Sequence, residues 1–197
     1  MPNVQNFVEI SDFSKQLKAD FNPCNSQNSV NNTSSITRCR PNILICGTPG
    51  TGKTTHALRL RSLYDLHHLS VGDIVKKNKC HEGKNKTWDA YIVDETKTAL
   101  KPFREGYTTR RNLVVVLRTQ HTLLWDRLLE RKYTLRKIQE NNEAEIMQIV
   151  LDEAVTSFGS ERVMELTSDI LEQVDNNIIK IGEWIKQWQY SNKSENK

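Results

Sequence analysis

The chain has 197 residues, of which 37% are hydrophobic and 26% charged, and its net charge is +4. This length fits a single domain, and no apolar run approaches the about 18 residues of a transmembrane helix. The four cysteines lack C-x-x-C spacing, which argues against a metal centre or a disulfide framework and favours reduced thiols of an intracellular protein. The mild positive charge is compatible with a polyanionic partner but is too weak to indicate nucleic-acid binding by itself.

Residues 1–40 form a polar N-terminal extension. Two tracts rich in asparagine and serine, 22–29 and 31–35, cannot bury enough apolar surface to offset the entropy of ordering, so we expect disorder. One or two weak amphipathic turns could form from the apolar residues Phe7, Ile10, Phe13 and Leu17. The extension is either a tail for partner binding or localisation, or a dispensable segment.

The globular part begins near Pro41 with a short apolar run that is typical of a buried parallel strand. The run leads into Gly47–Thr55, whose sequence GTPGTGKTT fits the P-loop pattern G-x-x-x-x-G-K-[ST]. Apolar residues at helical spacing follow the loop, from Ala57 to Leu63. A strand, a glycine-rich loop and a helix in this order are the context that a P-loop requires.

The P-loop pattern predicts a site for a phosphorylated ligand. Glycines let the backbone turn tightly around phosphate groups and direct its N–H groups toward them. Lys53 can reach the β- and γ-phosphates as a point charge, and the hydroxyl of Thr54 can ligate Mg²⁺. A helix that begins at Lys53 adds its positive dipole end to the same site.

Four elements are expected between the P-loop helix and the next buried strand. Residues 66–69 predict a short strand, and 70–77 predict a helix whose first residue is a serine suited to capping. The polar segment 81–89 predicts a loop. A second helix is expected over 94–103, beginning at an aspartate that suits a cap and ending before Gly106.

Predicted strands and helices also alternate in the second half of the chain. It predicts a buried strand at 113–117, a helix with apolar residues between 123 and 129, one long helix from 138 to about 158 ended by Gly159, a strand at 163–166 and a C-terminal helix at 170–188. Trp184 and Trp188 are expected on its core face.

This alternation predicts an α/β fold over residues 41–190, with a parallel sheet of P-loop NTPase type flanked by helices. In such sheets the ligand lies beyond the carboxyl ends of the strands, where this P-loop is placed. Residues 191–197 are expected to form a disordered tail.

A cationic turn lies between the helices that follow the strand at 113–117. Its basic residues are Arg127, Arg131, Arg136 and Lys137. Phosphoryl transfer needs cations over the transferring group, so the turn could be the mobile lid of a small kinase. It could equally be a solvated basic helix end, and its position alone does not decide between the two.

Several segments together carry a resemblance to a known family. They are 42–55 around the P-loop, Ser70-Val71-Gly72-Asp73, Val93-Asp94-Glu95, 114–118, Arg127-Leu128-Leu129-Glu130-Arg131-Lys132-Tyr133, the segment 137–147, and Glu183-Trp184 with Trp188. In this order and spacing they resemble adenylate kinase isoenzyme 6, the nuclear, ribosome-linked adenylate kinase and ATPase. The resemblance covers about residues 41–190 and implies a nucleoside monophosphate kinase-like fold.

The resemblance also implies roles for individual residues. ATP would be bound by Gly50, Gly52, Lys53, Thr54, Thr55 and Arg131, with Lys53 and Arg131 as the catalytic residues and Thr54 as the Mg²⁺ ligand. AMP would be held in the region 70–93 by Ser70, Gly72, Asp73 and Lys76. The lid would span 131–140.

The implied reaction is a Mg²⁺-dependent transfer of the γ-phosphoryl group of ATP to AMP, giving two ADP, together with ATPase activity. The resemblance further implies a link to 18S rRNA and small ribosomal subunit maturation through a small-subunit ribosomal protein and pre-ribosomes. Location in the nucleus and cytoplasm, a monomeric state and no membrane partner complete this expectation.

The chain departs from the family pattern at two places. Lys132 replaces a glycine of the lid. Between Gly106 and Leu113 roughly ten residues are missing, about two strand-lengths by ordinary statistics. The family strand found there supplies the Walker B-like acid beside Mg²⁺ and contacts to AMP, so its loss predicts a gap in the sheet or closure of the neighbouring strands. Asp94 and Glu95 are weak candidates for a replacement.

Two functions are weighed, and the first is favoured. The first is an active adenylate kinase with ATPase activity. The second is a catalytically impaired ATP-binding assembly factor in ribosome biogenesis. A GTPase-type switch is disfavoured because no N-K-x-D segment for reading a guanine base is present. The intact P-loop and Arg131 favour ATP binding in both of the remaining alternatives.

Overall fold

The computed structural model describes residues 9–11, 40–77, 79, 81–85, 90–93 and 112–194. The strands are β1 (Glu9–Ser11), β2 (Ile43–Cys46), β3 (His68–Ser70), β4 (His81–Asn85), β5 (Ala90–Val93), β6 (Leu113–Arg118) and β7 (Val163–Thr167). The helices are α1 (Lys53–Tyr64), α2 (Val71–Lys77), α3 (His121–Glu130), α4 (Leu135–Ile146), α5 (Ile149–Phe158) and α6 (Leu171–Ser194), and a 3-10 turn covers Ser160–Arg162.

The main sheet has five strands in the order β3-β1-β2-β6-β7. Strand β6 pairs in parallel with β2 on one side and with β7 on the other. Helices follow β2, β3, β6 and β7, so the expected α/β architecture with a parallel core is confirmed. The carboxyl ends of β2, β6 and β7 share one edge, and the loop before α1 lies there.

Strand β1 comes from the N-terminal extension, so the expectation that residues 1–40 are disordered is wrong at Glu9–Ser11. It pairs antiparallel with β2, where Glu9 is opposite Ile45, and antiparallel with β3, where Glu9 is opposite Ser70. It therefore lies between β3 and β2, the strand that leads into the P-loop. A gap there would leave backbone N–H and C=O groups of both neighbours without partners, and β1 supplies them.

The predicted gap in the sheet is thus closed by a distant segment of the chain. Strands β2 and β3 do not pair directly with each other, because β1 lies between them. Ile10, which the sequence placed on a weak amphipathic turn, pairs with Leu44 and Leu69 in the ladder. The segment 94–111, which contains the expected helix at 94–103 and the apparent deletion after Gly106, lies outside the described residues.

Side-chain alternation along the parallel strands builds a core on each face of the sheet. One face packs Ile43, Ile45 and Val115 against α1 and α6. The other packs Leu44, Cys46 and Val114 against α5. All of these side chains are at most 5% exposed. Both faces are covered, which is why β2 and β6 read as continuous apolar runs.

Three boundaries differ from the sequence expectation. The polar segment 81–89 was expected to be a loop, but its first part is strand β4, which pairs antiparallel with β5. Hydrogen bonding between the two strands outweighs the weak strand propensity of these residues. The long helix expected at 138–158 is interrupted at Gln148, whose φ of 56° leaves the right-handed helical region. Helix α6 continues to Ser194, past the predicted start of the tail.

Because the helix is interrupted at Gln148, the apolar residues before and after this position pack against different elements. Helix α4 buries Ile138 against Leu124 and Leu128 of α3. Helix α5 buries Val150 and Ala154 on the sheet.

Gly159, with φ 83°, ends α5 as predicted. On α6, Trp184 packs on the core, as expected. Across the described part of the chain, no helix has the length and apolarity needed to cross a membrane.

Candidate functional site

The loop between β2 and α1 has the tight course that the glycine pattern predicts. Gly47 has φ 147°, and a Cβ there would lie 2.5 Å from the carbonyl oxygen of Leu117. Gly50 has φ 100°, and a Cβ there would lie 2.7 Å from Leu124 Cδ1 of α3. Both positions therefore require glycine, because the loop is pressed between the end of β6 and helix α3.

Lys53 lies at the start of α1 and is 6% exposed. Its ammonium group donates hydrogen bonds to the carbonyl oxygens of Gly47 and Thr48, both at 3.1 Å. The loop thus curls around its own lysine, which holds a positive charge within the turn. A bound phosphate would meet this charge together with the N–H groups at the start of α1.

Thr54 and Thr55 occupy the first turn of α1, immediately after Gly52 and Lys53, and both are exposed. A threonine hydroxyl is one hard oxygen donor, which suits Mg²⁺. No cluster of three or more His, Cys, Asp or Glu residues occurs among the residues that the structure describes. The exposed Thr54 hydroxyl is compatible with the role of a Mg²⁺ ligand, and Mg²⁺ binding by Thr54 stays a prediction.

A buried carboxylate that the sequence did not single out fixes the loop from the other side. Glu145 of α4 is 3% exposed and accepts a hydrogen bond from the Thr48 hydroxyl at 2.6 Å. It also accepts from Arg118 Nε at 2.6 Å and from the backbone N–H of Thr119 at 3.0 Å. Glu145 thus joins the P-loop, the end of β6 and α4 in one network.

Arg127 of α3 also holds the P-loop in place through hydrogen bonds. Its guanidinium donates to the carbonyl oxygens of Gly50 at 3.1 Å, Ser168 at 3.0 Å and Asp169 at 2.6 Å. From the sequence, Arg127 was assigned only to a cationic turn. Its three acceptors are 41, 42 and 77 residues away from it in the chain, so local residue spacing gives no sign of these hydrogen bonds. Its position ties the P-loop to the loop after β7.

Arg131, the predicted lid arginine, is the exposed residue that caps the C-terminal end of α3. It follows Arg127 by one helical turn, and residues four apart lie on the same face of a helix. Arg127 itself contacts the P-loop at Gly50. The joint action of Arg131 and Lys53 on one ligand stays a prediction.

The predicted lid at 131–140 is mostly helical. A short turn follows α3, Lys132 takes φ 58°, and α4 begins at Leu135 with Thr134 as its side-chain cap. Arg136 pairs with Glu140 at 3.2 Å along the exposed face of α4. The positive φ of Lys132 explains why a glycine would suit this position.

The residues predicted for AMP lie at the β3 edge of the sheet. Ser70 ends β3, and its hydroxyl accepts the backbone N–H of Asp73 at 3.3 Å, so it caps α2 as expected. Gly72, Asp73 and Lys76 follow on α2. Strand β1 separates this edge from the P-loop strand. AMP binding by these residues stays a prediction.

The acid expected beside Mg²⁺ has no clear replacement in the described residues. Asp94 and Glu95, the weak candidates, lie outside them. Glu145 has both carboxylate oxygens engaged in the network above. In the strand that fills the gap, Glu9 is level with Ile45, two residues before Gly47. Glu9 therefore lies beside the strand that leads into the P-loop, on a strand of opposite direction.

Comparison with known proteins identifies the family of the chain. A family profile described as an AAA domain matches residues 43–148, just over half of the chain. An adenylate kinase isoenzyme 6 homolog of Schizosaccharomyces pombe is 45% identical over 166 residues, covering 75% of this chain and 93% of the relative. The chain belongs to the adenylate kinase isoenzyme 6 family.

Two further members of the adenylate kinase isoenzyme 6 family support the assignment. The Dictyostelium discoideum homolog is 39% identical and covers 80% of this chain and 98% of its own length. The Saccharomyces cerevisiae homolog FAP7 is 38% identical and covers 77% of this chain and 85% of its own length. The resemblance drawn from the motifs is thereby confirmed at the level of the family.

Proposed function

We propose that this member of the adenylate kinase isoenzyme 6 family is a Mg²⁺-dependent adenylate kinase that also hydrolyses ATP. The observation that carries the proposal is the P-loop braced around the buried ammonium of Lys53. The loop is held from two sides by Glu145 and Arg127. A preorganised positive site of this kind stabilises the charge that spreads over a transferring phosphoryl group.

Each residue has a defined part in the proposed reaction. Lys53 exchanges its carbonyl partners for phosphate oxygens of ATP, and Arg131 covers the phosphates from the end of α3. Thr54 would hold Mg²⁺ through its hydroxyl, and the ion would supply further positive charge to the phosphates. The bond from the γ-phosphorus to the bridging oxygen of ADP breaks, and a bond to a phosphate oxygen of AMP forms. Water takes the place of AMP in the ATPase reaction.

The second candidate is an ATP-binding assembly factor with impaired catalysis. The observation that favours it is the absence, within the described residues, of a parallel strand beside β2 that carries the expected acid. Under either candidate we propose that the protein acts in small ribosomal subunit maturation, with a small-subunit ribosomal protein as partner, in the nucleus and cytoplasm.

The test is an assay of ADP formation from ATP and Mg²⁺, with and without AMP. We expect AMP-dependent ADP formation, and Lys53→Ala should lower it about 10²-fold or more, because one preorganised cation over the reacting phosphates is lost. The matched control is Lys180→Ala, which removes an exposed lysine of α6 and should keep full activity. Turnover no higher than that of the Lys53 variant, together with measurable ATP affinity, would leave the assembly factor.

A further inference from the structure

A fully buried histidine lies directly behind the P-loop. His56 is in the first turn of α1, and none of its surface is exposed to solvent. Its Nδ1 lies 3.0 Å from the carbonyl oxygen of Gly52, the last glycine of the loop. Because a carbonyl oxygen can only accept, the imidazole carries a proton on Nδ1 and donates it to this bond.

The other ring nitrogen of His56 faces a side-chain amide. Its Nε2 lies 3.2 Å from Nδ2 of Asn177, a residue of α6 that is 4% exposed. The same Nδ2 donates to the carbonyl oxygen of Thr167, at the end of β7, at 2.7 Å. This second bond fixes the amide, because turning it over would place its oxygen against that carbonyl. Nε2 therefore accepts a hydrogen bond, and the imidazole is held as its neutral Nδ1–H tautomer.

The carbonyl group of Gly52 thus has two donors. The backbone N–H of His56 reaches it at 3.1 Å, and the imidazole reaches it at 3.0 Å. The peptide bond that follows Gly52 is trans, so its C=O and the N–H of Lys53 point in opposite directions. Fixing the carbonyl therefore aims that N–H, and polarising the peptide group strengthens it as a donor. It belongs to the first turn of the helix, the part of a helix that binds phosphate.

The end of β7 holds the P-loop at a second carbonyl as well. Arg127 bridges the carbonyl oxygen of Gly50 to those of the two residues that follow β7. Together with the histidine and the asparagine, this arginine anchors Gly50 and Gly52 to one short segment of the chain.

We propose that His56 is a positioning residue for ATP binding. Its Nδ1–H holds the carbonyl of Gly52, so that the N–H of Lys53 points at a phosphate oxygen. Asn177 acts one step further from the ligand, by fixing the tautomer of His56. The inference rests on the ATP site proposed above.

The first experiment titrates the full-length protein with Mg²⁺ and the non-hydrolysable analogue AMP-PNP in a calorimeter. His56→Gln moves the amide away from Gly52 and should weaken binding about three- to tenfold, the effect of one lost hydrogen bond. His56→Asn places an amide N–H near the position of Nδ1 and should recover most of the affinity. Urea denaturation checks that each variant is folded under the titration conditions.

A core variant separates positioning from stability. Ile178→Val trims a buried side chain that follows Asn177 on α6 and lowers stability by an amount comparable to one lost hydrogen bond. It should bind AMP-PNP as the parent does. A loss of affinity in this variant as large as that in His56→Gln would assign the effect to stability and overturn the proposal.

The second experiment reads the tautomer of His56 from the ¹⁵N shifts of its ring by NMR, without nucleotide. We expect a protonated Nδ1 and an unprotonated Nε2. Asn177→Leu should give a mixture of tautomers and about threefold weaker AMP-PNP binding. Combined with His56→Gln, it should cause little further loss, because the two residues act through one hydrogen bond.

The outcomes separate this inference from the proposed function. Parent-like affinity of His56→Gln, equal losses in His56→Gln and His56→Asn, or a proton on Nε2 would overturn the positioning role while leaving the ATP site in place. Additive losses in the double variant would overturn the part assigned to Asn177. If the parent binds no AMP-PNP, the ATP site itself is wrong, and the positioning role is overturned with it.

Discussion

Glu145 shows how a single buried side chain sets the shape of the P-loop. It is almost fully buried, and its partners come from the loop, from the end of β6 and from the backbone that follows. A buried carboxylate is tolerated when its charge and lone pairs are matched, and Arg118 together with Thr48 provides that match. The network therefore links the stability of the fold to the geometry of the nucleotide site.

Removing this carboxylate should be costly. Glu145→Ala leaves Arg118, whose side chain is 16% exposed, without its main partner, and we expect a loss of about 3–5 kcal/mol in the free energy of unfolding. Urea denaturation measures the loss. Glu143→Ala, an exposed acid on the same helix, should change it by less than about 0.5 kcal/mol. Similar losses for the two variants would contradict the network.

Arg127 and Arg131 are one helical turn apart but should behave differently when truncated. Arg127→Ala leaves three backbone acceptors without a charged donor, so we expect destabilisation by about 2–4 kcal/mol. Arg131→Ala should alter stability by less than about 0.5 kcal/mol, because its side chain is exposed, and should instead weaken ATP binding. Urea denaturation and nucleotide titration separate the two effects, and the reverse pattern would refute both assignments.

At the level of elements, the main surprise is β1. Three residues of a polar extension occupy an interior position of the sheet, between β2 and β3. Interior strands pair on both sides, so β1 satisfies backbone groups of two neighbours at once. Residues Glu9–Ser11 of the N-terminal extension are therefore a structural part of the domain.

A proline in β1 tests this assignment. Ile10→Pro removes a backbone donor from a strand with two neighbours, and we expect a loss of about 3 kcal/mol or more in the free energy of unfolding. Ile10→Val keeps the donor and the β-branched shape, so its cost should stay near about 1 kcal/mol. Thermal and urea unfolding of the full chain give both values. Equal stability of the proline variant and the parent would show that β1 does not support the sheet.

At the level of the whole molecule, binding at the P-loop should be visible as stability, independently of catalysis. A ligand that binds only the folded state stabilises it by about 2.7 kcal/mol at 100 times its Kd. For a chain of this size, that corresponds to a rise in Tm of roughly 5–10 °C. We expect this rise with Mg²⁺ and ATP. It should be lost in Lys53→Ala and kept in Lys180→Ala, as thermal unfolding can measure.

This measurement also separates the two candidate functions. A rise in Tm with no AMP-dependent ADP formation would indicate the ATP-binding assembly factor. A rise accompanied by ADP formation supports the kinase. If neither Mg²⁺ with ATP nor any other nucleoside triphosphate changes the Tm, the assignment of the P-loop as a nucleotide site is wrong.

The sequence alone determined the P-loop and its strand-loop-helix context, because that motif depends on residues adjacent in the chain. It also determined the buried strands β2 and β6, since strands covered on both faces are continuously apolar. Local patterns did not reveal the β4–β5 hairpin or the interruption at Gln148. Pairing between strands fixes the first, and the separate packing surfaces of α4 and α5 fix the second.

The tertiary structure alone decided what holds the site and what completes the sheet. Glu145 and Arg127 act on loop residues 97 and 77 positions away, and such pairings leave no periodic trace in the sequence. The segment Glu9–Ser11 is too short and too polar to predict as an interior strand. It becomes one because open backbone groups on β2 and β3 need partners, a requirement that exists only once the sheet has formed.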